Sequence, residues 1–297
     1  MNTQSIVPEY VGEITLENYC LKYSVAGKKS KKMIVIGGHL YYPKTFSLEL
    51  LEHFTIYFVD HIGFSKVTSD ISDFCYFEMK SLLKDLELFR NLLNIEDFIL
   101  VGHSGHGYIA LEYAKKYPKY VSHLLMIAIS PNLSAHAHQK SEEYFQNQAQ
   151  EQRKESFKIS MGYLESDISK NPEKRFISMM LRMAPRIWFD YKIDRNYLWD
   201  DIQVYMPAMD YIWGTVFREI DITFDLDNFN VKTLLVLGKN DYLLPDPQVW
   251  DEYLPKFKDI DIKIINDCGH NPQLEQVQEF NQIILSWFWG LLTLNNP

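Results

Sequence analysis

Three residues of this chain have the types and the placement for nucleophilic catalysis. Ser104 lies in Gly102-His103-Ser104-Gly105-His106-Gly107, behind the apolar run Phe98-Ile99-Leu100-Val101 and ahead of a helix-like stretch, Tyr108 to Tyr117, closed by Pro118. That pattern reads as strand, sharp turn and helix. A hydroxyl on such a turn stands clear of the sheet edge, and the free N–H groups of the helix start point at whatever it attacks. The same string would also supply a plain helix N-cap. A serine hydroxyl is weak at neutral pH, so catalysis needs a base within hydrogen-bond reach. His270, in Asp267-Cys268-Gly269-His270-Asn271-Pro272, follows the alternating run 260–265 and precedes a helix start. Asp241 ends Gly238-Lys239-Asn240-Asp241, just past the buried-strand run Thr233-Leu234-Leu235-Val236-Leu237. It could orient the imidazole and hold its tautomer. Its setting is also turn chemistry, and Asp246 and Asp267 are rivals for the same role.

All three residues follow strands. Loops at the carboxyl ends of neighbouring parallel strands share one edge of a sheet, so the three can converge. The elements that must position them alternate. A strand-like stretch near residues 11–24 and a turn at Gly27-Lys28-Lys29 lead into alternating strands and helices as far as about residue 130. Leu124-Leu125-Met126-Ile127-Ala128-Ile129 is the last of these strand runs, ended by Ser130-Pro131. Such alternation predicts an α/β fold, a mostly parallel sheet with helices on both faces. From residue 132 to about 228 no parallel-strand run is found, and aromatic residues such as Trp188, Trp199, Trp213 and Phe217 are frequent. This stretch reads as an inserted helical cap roofing the catalytic edge. The organisation is therefore core 1–131, cap 132–228 and core 229–297. The apolar segment Ile283 to Leu292 is too short to span a bilayer and reads as a packed terminal helix.

At this point the chain resembles the α/β-hydrolase superfamily over nearly its whole length. The elbow, acid and histidine segments come in the order Ser104, Asp241, His270, which is that family's triad order. Met33-Ile34-Val35-Ile36-Gly37-Gly38-His39 looks like the family's strand and oxyanion loop, and Tyr57-Phe58-Val59-Asp60-His61-Ile62-Gly63-Phe64-Ser65 resembles the strand and Asp-x-x-Gly-x loop that follow. The resemblance implies an oxyanion hole made by the Gly105 N–H and a second N–H at His39 or Leu40. Within the superfamily the chain looks closest to the proline-iminopeptidase-like branch. That implies acidic cap residues for a substrate amine, with Asp210, Glu219 and Asp221 as candidates; solvated surface positions are the other reading of all three. Two of that branch's marks are missing: Trp after the serine, where Gly105 stands, and His-Gly-Gly-Pro-Gly in the oxyanion loop. The elbow pattern also prefers a small residue two places after the serine, where this chain has His106. Its imidazole is either harmless there, part of the pocket, or a cause of weakened activity.

Composition bounds the partners. The 297 residues carry 46% apolar and 23% charged residues with a net charge of −9. A negative balance disfavours nucleic acid and anionic membrane surfaces as partners. The N-terminus lacks a basic, apolar leader, and three unpatterned cysteines suit a reducing compartment, so a cytoplasmic location is expected. No phosphate loop, dinucleotide fingerprint or metal-ligand spacing is present, so no cofactor and no metal is expected. A serine at the elbow disfavours epoxide opening and halide displacement, which use aspartate there. The expected activity is hydrolysis of a small-molecule or short-peptide substrate, an ester or amide, through an acyl-enzyme. The alternatives are an N-terminal proline-releasing aminopeptidase, carbon–carbon bond hydrolysis by the same triad, and a ligand-binding receptor built on a hydrolase scaffold.

Overall fold

A computed structural model describes residues 5–290. Its frame is a nine-stranded sheet. In chain order the strands are β1 (Tyr10–Thr15), β2 (Tyr19–Ala26), β3 (Lys32–Ile36), β4 (Thr55–Val59), β5 (Lys66–Val67), β6 (Phe98–His103), β7 (Val121–Ile127), β8 (Lys232–Gly238) and β9 (Ile260–Ile265). In space they run β1-β2-β4-β3-β6-β7-β8-β9, with the short β5 against β2. Every pairing from β4 through β9 is parallel. Those involving β2 are antiparallel. The single strand-like stretch expected at 11–24 is thus a hairpin. The chain reverses between β1 and β2, where the Leu16 N–H meets the Tyr19 carbonyl at 2.9 Å.

The central strands are apolar without alternation because both of their faces are covered. In β6, Phe98 and Leu100 enter one core and Ile99 and Val101 the other. Successive side chains of a strand point to opposite faces, so one run of apolar residues feeds two cores. The first core takes Leu82, Leu86 and Phe89 of α1 (Met79–Leu92) and Ile109 and Tyr113 of α2 (His106–Lys116). Six α-helices, with shorter helical turns among them, then fall between β7 and β8: α3 (Ala135–Gln148), α4 (Glu151–Met161), α5 (Leu164–Lys170), α6 (Arg175–Arg182), α7 (Ala184–Ile187) and α8 (Met206–Tyr211). Among the described residues, 132–228 contain helices and turns and no strand. After β9 come α9 (Pro272–Glu275) and α10 (Val277–Phe288). The second core takes Phe280, Ile284 and Trp287 of α10. The apolar segment 283–292 begins inside α10, and its last two residues lie outside the described ones. No helix of the described residues is long and apolar enough to cross a membrane.

Candidate active site

The elbow is built by close packing. Ser104 adopts φ 56°, a left-handed conformation that a non-glycine residue holds only when its surroundings enforce it, at a cost of about 1–3 kcal/mol. Two bonds enforce it here: the Ser104 N–H donates to the Ile127 carbonyl at 2.8 Å, and the Ser104 carbonyl accepts from the Gly107 N–H at 2.9 Å. The flanking glycines let α2 return close to β6. A Cβ on Gly102 would lie 2.5 Å from the His106 carbonyl oxygen, and one on Gly107 would lie 2.6 Å from Ile129 Cδ1. So the small residues that the tight crossing needs are Gly102 and Gly107. The side chain of His106 leaves the crossing and lies against Gly37, where a Cβ would meet the ring at 2.4 Å.

The other two residues meet as a pair. His270 Nδ1 is 2.7 Å from Asp241 Oδ2, and Asp241 Oδ1 accepts from the Leu243 N–H at 3.0 Å. Both side chains are buried. A carboxylate on Nδ1 holds the proton there and leaves Nε2 free to act as a base. Neither rival acid meets His270. Asp246 caps the turn that starts at Pro247, and Asp267 is exposed. Ser104 and His270 line one cavity without a hydrogen bond between the hydroxyl and the ring. Such contacts are commonly loose before substrate is bound.

The backbone of His270 is clasped from two sides. Its N–H donates to the Ile187 carbonyl, in the inserted helices, at 2.6 Å. Its carbonyl accepts from His103 Nε2 at 2.7 Å. Glu275 braces the same loop, accepting from the Asn271 N–H through one carboxylate oxygen at 3.0 Å and from the Phe189 N–H through the other at 2.7 Å. Burial raises the pKa of that carboxyl, against the pull of the backbone N–H groups. Ile187, Phe189 and Glu275 carry no sequence motif that would have singled them out.

The oxyanion loop needs a correction. The His39 N–H, expected as an oxyanion donor, already donates to Asp60 Oδ1 at 2.8 Å, while His39 Nδ1 sits 2.8 Å from Asp60 Oδ2. The buried Asp60 carboxylate follows β4 and captures the whole residue, so His39 lines a small separate cavity instead, as does Leu40. Tyr41, two residues on, lines the main cavity. Gly105 lines the main cavity as the N-cap residue just ahead of α2, where N–H groups lack helical partners.

The main cavity has a volume of about 700 Å³ and is mostly apolar. The inserted helices supply Phe176, Met179, Trp199 and Trp213 to its wall. These rings pack on one another: Phe176 and Trp213 centroids are 6.0 Å apart, and Phe176 and Trp199 are 5.8 Å apart. None of Asp210, Glu219 and Asp221 lines it. Asp210 pairs instead with Arg175, and Asp221 holds Thr223.

Comparison with known proteins agrees with this fold. A profile of the family described as alpha/beta hydrolase fold matches residues 36–277. An AB hydrolase superfamily protein, YclE, of Bacillus subtilis is 32% identical over 279 residues, 94% of this chain and 99% of that protein. Proline iminopeptidase PfmaB of Pestalotiopsis fici is 25% identical over 185 residues, 60% of this chain and 62% of that one. Among solved structures, a thermophilic esterase from Thermogutta terrifontis superposes with a TM-score of 0.67 at 20% identity, covering 95% of this chain and 99% of the other. At that identity the likeness speaks to the fold alone.

Proposed function

This chain belongs to the α/β-hydrolase family, and from that premise we propose that it is a serine hydrolase that cleaves a small ester or amide without a cofactor. The observation that carries the proposal is the buried His270–Asp241 bond at the wall of the cavity into which the strained Ser104 turn opens. In the proposed reaction Ser104 Oγ attacks the substrate carbonyl while His270 Nε2 takes its proton. Asp241 stabilises the imidazolium that forms. The tetrahedral oxyanion is met by the Gly105 N–H and a second N–H from the loop after β3, for which Tyr41 is the cavity-lining candidate. The leaving alcohol or amine departs with the proton from His270. A water then gives its proton to His270 and attacks the acyl-serine, and His270 returns that proton to Ser104 Oγ as the acyl–oxygen bond breaks and the acid is freed. Each oxyanion donor is worth about 10²–10³ in kcat.

In this reading residues 132–228 are a cap that roofs the site, and the aromatic wall favours an apolar acyl or leaving group. A free substrate amine would want a carboxylate in the cavity wall. None of the three acidic residues considered for that role reaches it, while Asp194 does line the wall together with Lys192 and Arg195; ester or amide hydrolysis is our first reading and aminopeptidase action the alternative. The three free cysteines suit work in a reducing compartment.

Labelling with a fluorophosphonate, read by intact mass, tests the proposal. The wild type is expected to take up one adduct and Ser104→Ala none, with p-nitrophenyl ester turnover falling at least about 10³-fold in the variant. Ester turnover untouched by Ser104→Ala would sink it.

A further inference from the structure

Along the cavity wall, four side chains to which the proposed reaction gives no role form one unbroken run of hydrogen bonds; Tyr42, His103 and His106 line the cavity and His61 does not. The Gly63 N–H meets His61 Nδ1 at 3.0 Å. His61 Nε2 lies 3.0 Å from His106 Nε2. His106 Nδ1 lies 2.9 Å from the Tyr42 hydroxyl, which is also 3.1 Å from His103 Nδ1. His103 Nε2 ends the run on the His270 carbonyl at 2.7 Å. All four side chains are buried.

The two ends fix every proton in between. A backbone N–H can only donate, so His61 Nδ1 accepts and the His61 proton sits on Nε2. His106 Nε2 must then accept, which puts the His106 proton on Nδ1, aimed at the Tyr42 oxygen. At the far end a carbonyl can only accept, so His103 is protonated on Nε2 and its Nδ1 accepts from the Tyr42 hydroxyl. The two deductions meet at Tyr42, which accepts on one side and donates on the other, and they agree. Each donor in the run has one acceptor and each acceptor one donor. An added proton on any imidazole would set two donors face to face or leave the Tyr42 hydroxyl without its acceptor.

We propose that this one-way run, with three neutral imidazoles, is a positioning device that holds the backbone of His270, and that Tyr42 and His103 are its working residues with His106 and His61 as supports. It explains His106, which the elbow pattern does not call for. Its ring reaches Tyr42 because Gly37 has no side chain in the way. It also completes the clasp on His270, whose N–H is held by Ile187 on the opposite side. The tautomers stand on geometry alone; the effect on rate rests on the serine-hydrolase reading.

Two measurements test it on the full chain. In ¹⁵N-imidazole NMR at neutral pH, assigned through single His→Gln variants, His61 and His103 are expected protonated at Nε2 and His106 at Nδ1. A different tautomer at any of the three, or an imidazolium, overturns the run. This holds whether or not the protein turns over esters, so it separates failure of the run from failure of the reaction. In kinetics, Tyr42→Phe removes the junction and is expected to lower kcat about 10-fold with KM within about 2-fold, since small misplacements of a catalytic group act on the transition state. His103→Gln, which keeps an N–H near the Nε2 position, is expected to retain several-fold more kcat than His103→Leu. If Tyr42→Phe does not fold, the His103 pair decides alone. Equal kcat in His103→Gln and His103→Leu, or an unchanged kcat in Tyr42→Phe, would leave His270 without this support and overturn the positioning role.

Discussion

At the scale of single residues, the site depends on a position with no side chain at all. Gly37 has φ 122°, a backbone conformation that residues with a Cβ avoid, and the ring of His106 fills the space where a Cβ would stand. Gly37→Ala therefore carries both backbone strain and overpacking, together about 2–5 kcal/mol. Urea unfolding should show that loss. It should also show coupling: His106→Ala should cost less in the Gly37→Ala background than in the wild type, by more than about 1 kcal/mol. Purely additive losses would mean that the ring has another place to go. At this scale the sequence singles out Ser104, Asp241 and His270, because each follows a strand-like run and carries the right chemistry; the structure joins His270 to Asp241 and sets Ser104 and His270 in the wall of one cavity. It misled at His39. The family pattern points to that N–H, but whether an N–H is free depends on a carboxylate 21 residues away, Asp60, which pattern alone does not connect to it. Tyr42 and His61 were invisible for the same reason, since their work lies in partners distant along the chain.

At the scale of elements, the inserted helices are fastened to the loops that carry the acid and the base. Arg186 of α7 donates through Nε to the Tyr242 carbonyl at 2.9 Å, through Nη1 to Glu142 of α3 at 2.8 Å and through Nη2 to Ser141 at 3.0 Å. Tyr242 directly follows Asp241, and its own N–H returns to the Arg186 carbonyl at 3.0 Å. One guanidinium thus joins two inserted helices to the acid loop. Arg186→Met keeps much of the apolar stem and removes all three bonds, leaving the Tyr242 carbonyl only its 3.3 Å bond from the Ser141 hydroxyl. The Glu142 carboxyl is half exposed, so water recovers part of the loss, and a destabilisation of about 1–3 kcal/mol is expected, measured as a lower midpoint in urea. If the insert were an independent flap, the substitution would leave the midpoint unchanged. The sheet itself was legible: buried runs without alternation required a parallel sheet covered on both faces, and they formed one. The β1–β2 hairpin was not separated, because its three-residue turn, Leu16-Glu17-Asn18, carries neither Gly nor Pro. The clasp between the inserted helices and the histidine loop was beyond reach, since it is made by backbone groups whose meeting depends on the tertiary fold.

For the whole molecule, the neutral histidines of this run become a dependence of stability on pH. Burial pushes His61 and His103 down to about 3, with the His270 ring lowering His103 further, and burial holds His106 well below the usual histidine range, with His61 and His103 adding to the effect. The groups facing these rings are one another, Tyr42 and His270; no carboxylate contributes. In the unfolded chain the same imidazoles bind protons near their ordinary value, about 6.5. Between about pH 3 and 6.5 the unfolded state therefore holds more protons, so each of these histidines contributes stability above about pH 6.5 that is lost as pH falls, at about 1.4 kcal/mol per pH unit. Buried carboxyls act in the opposite direction. Asp85, raised to about 6 chiefly by burial beside Tyr19, is protonated when folded over part of the same range, and Asp60 and Glu275 are also raised. The total slope therefore mixes the two signs, and a difference isolates one histidine. His103→Gln should be destabilised at pH 7.5 by its altered hydrogen bonds. That deficit should shrink by about 1.4 kcal/mol for each unit that pH falls from 6 to 4.5, because only the wild type still pays for a histidine that stays neutral when folded. Urea melts of both proteins across this range measure it. A deficit that stays constant would mean that His103 takes up a proton in the folded protein, and a protonated His103 would leave the Tyr42 hydroxyl facing a second donor instead of an acceptor.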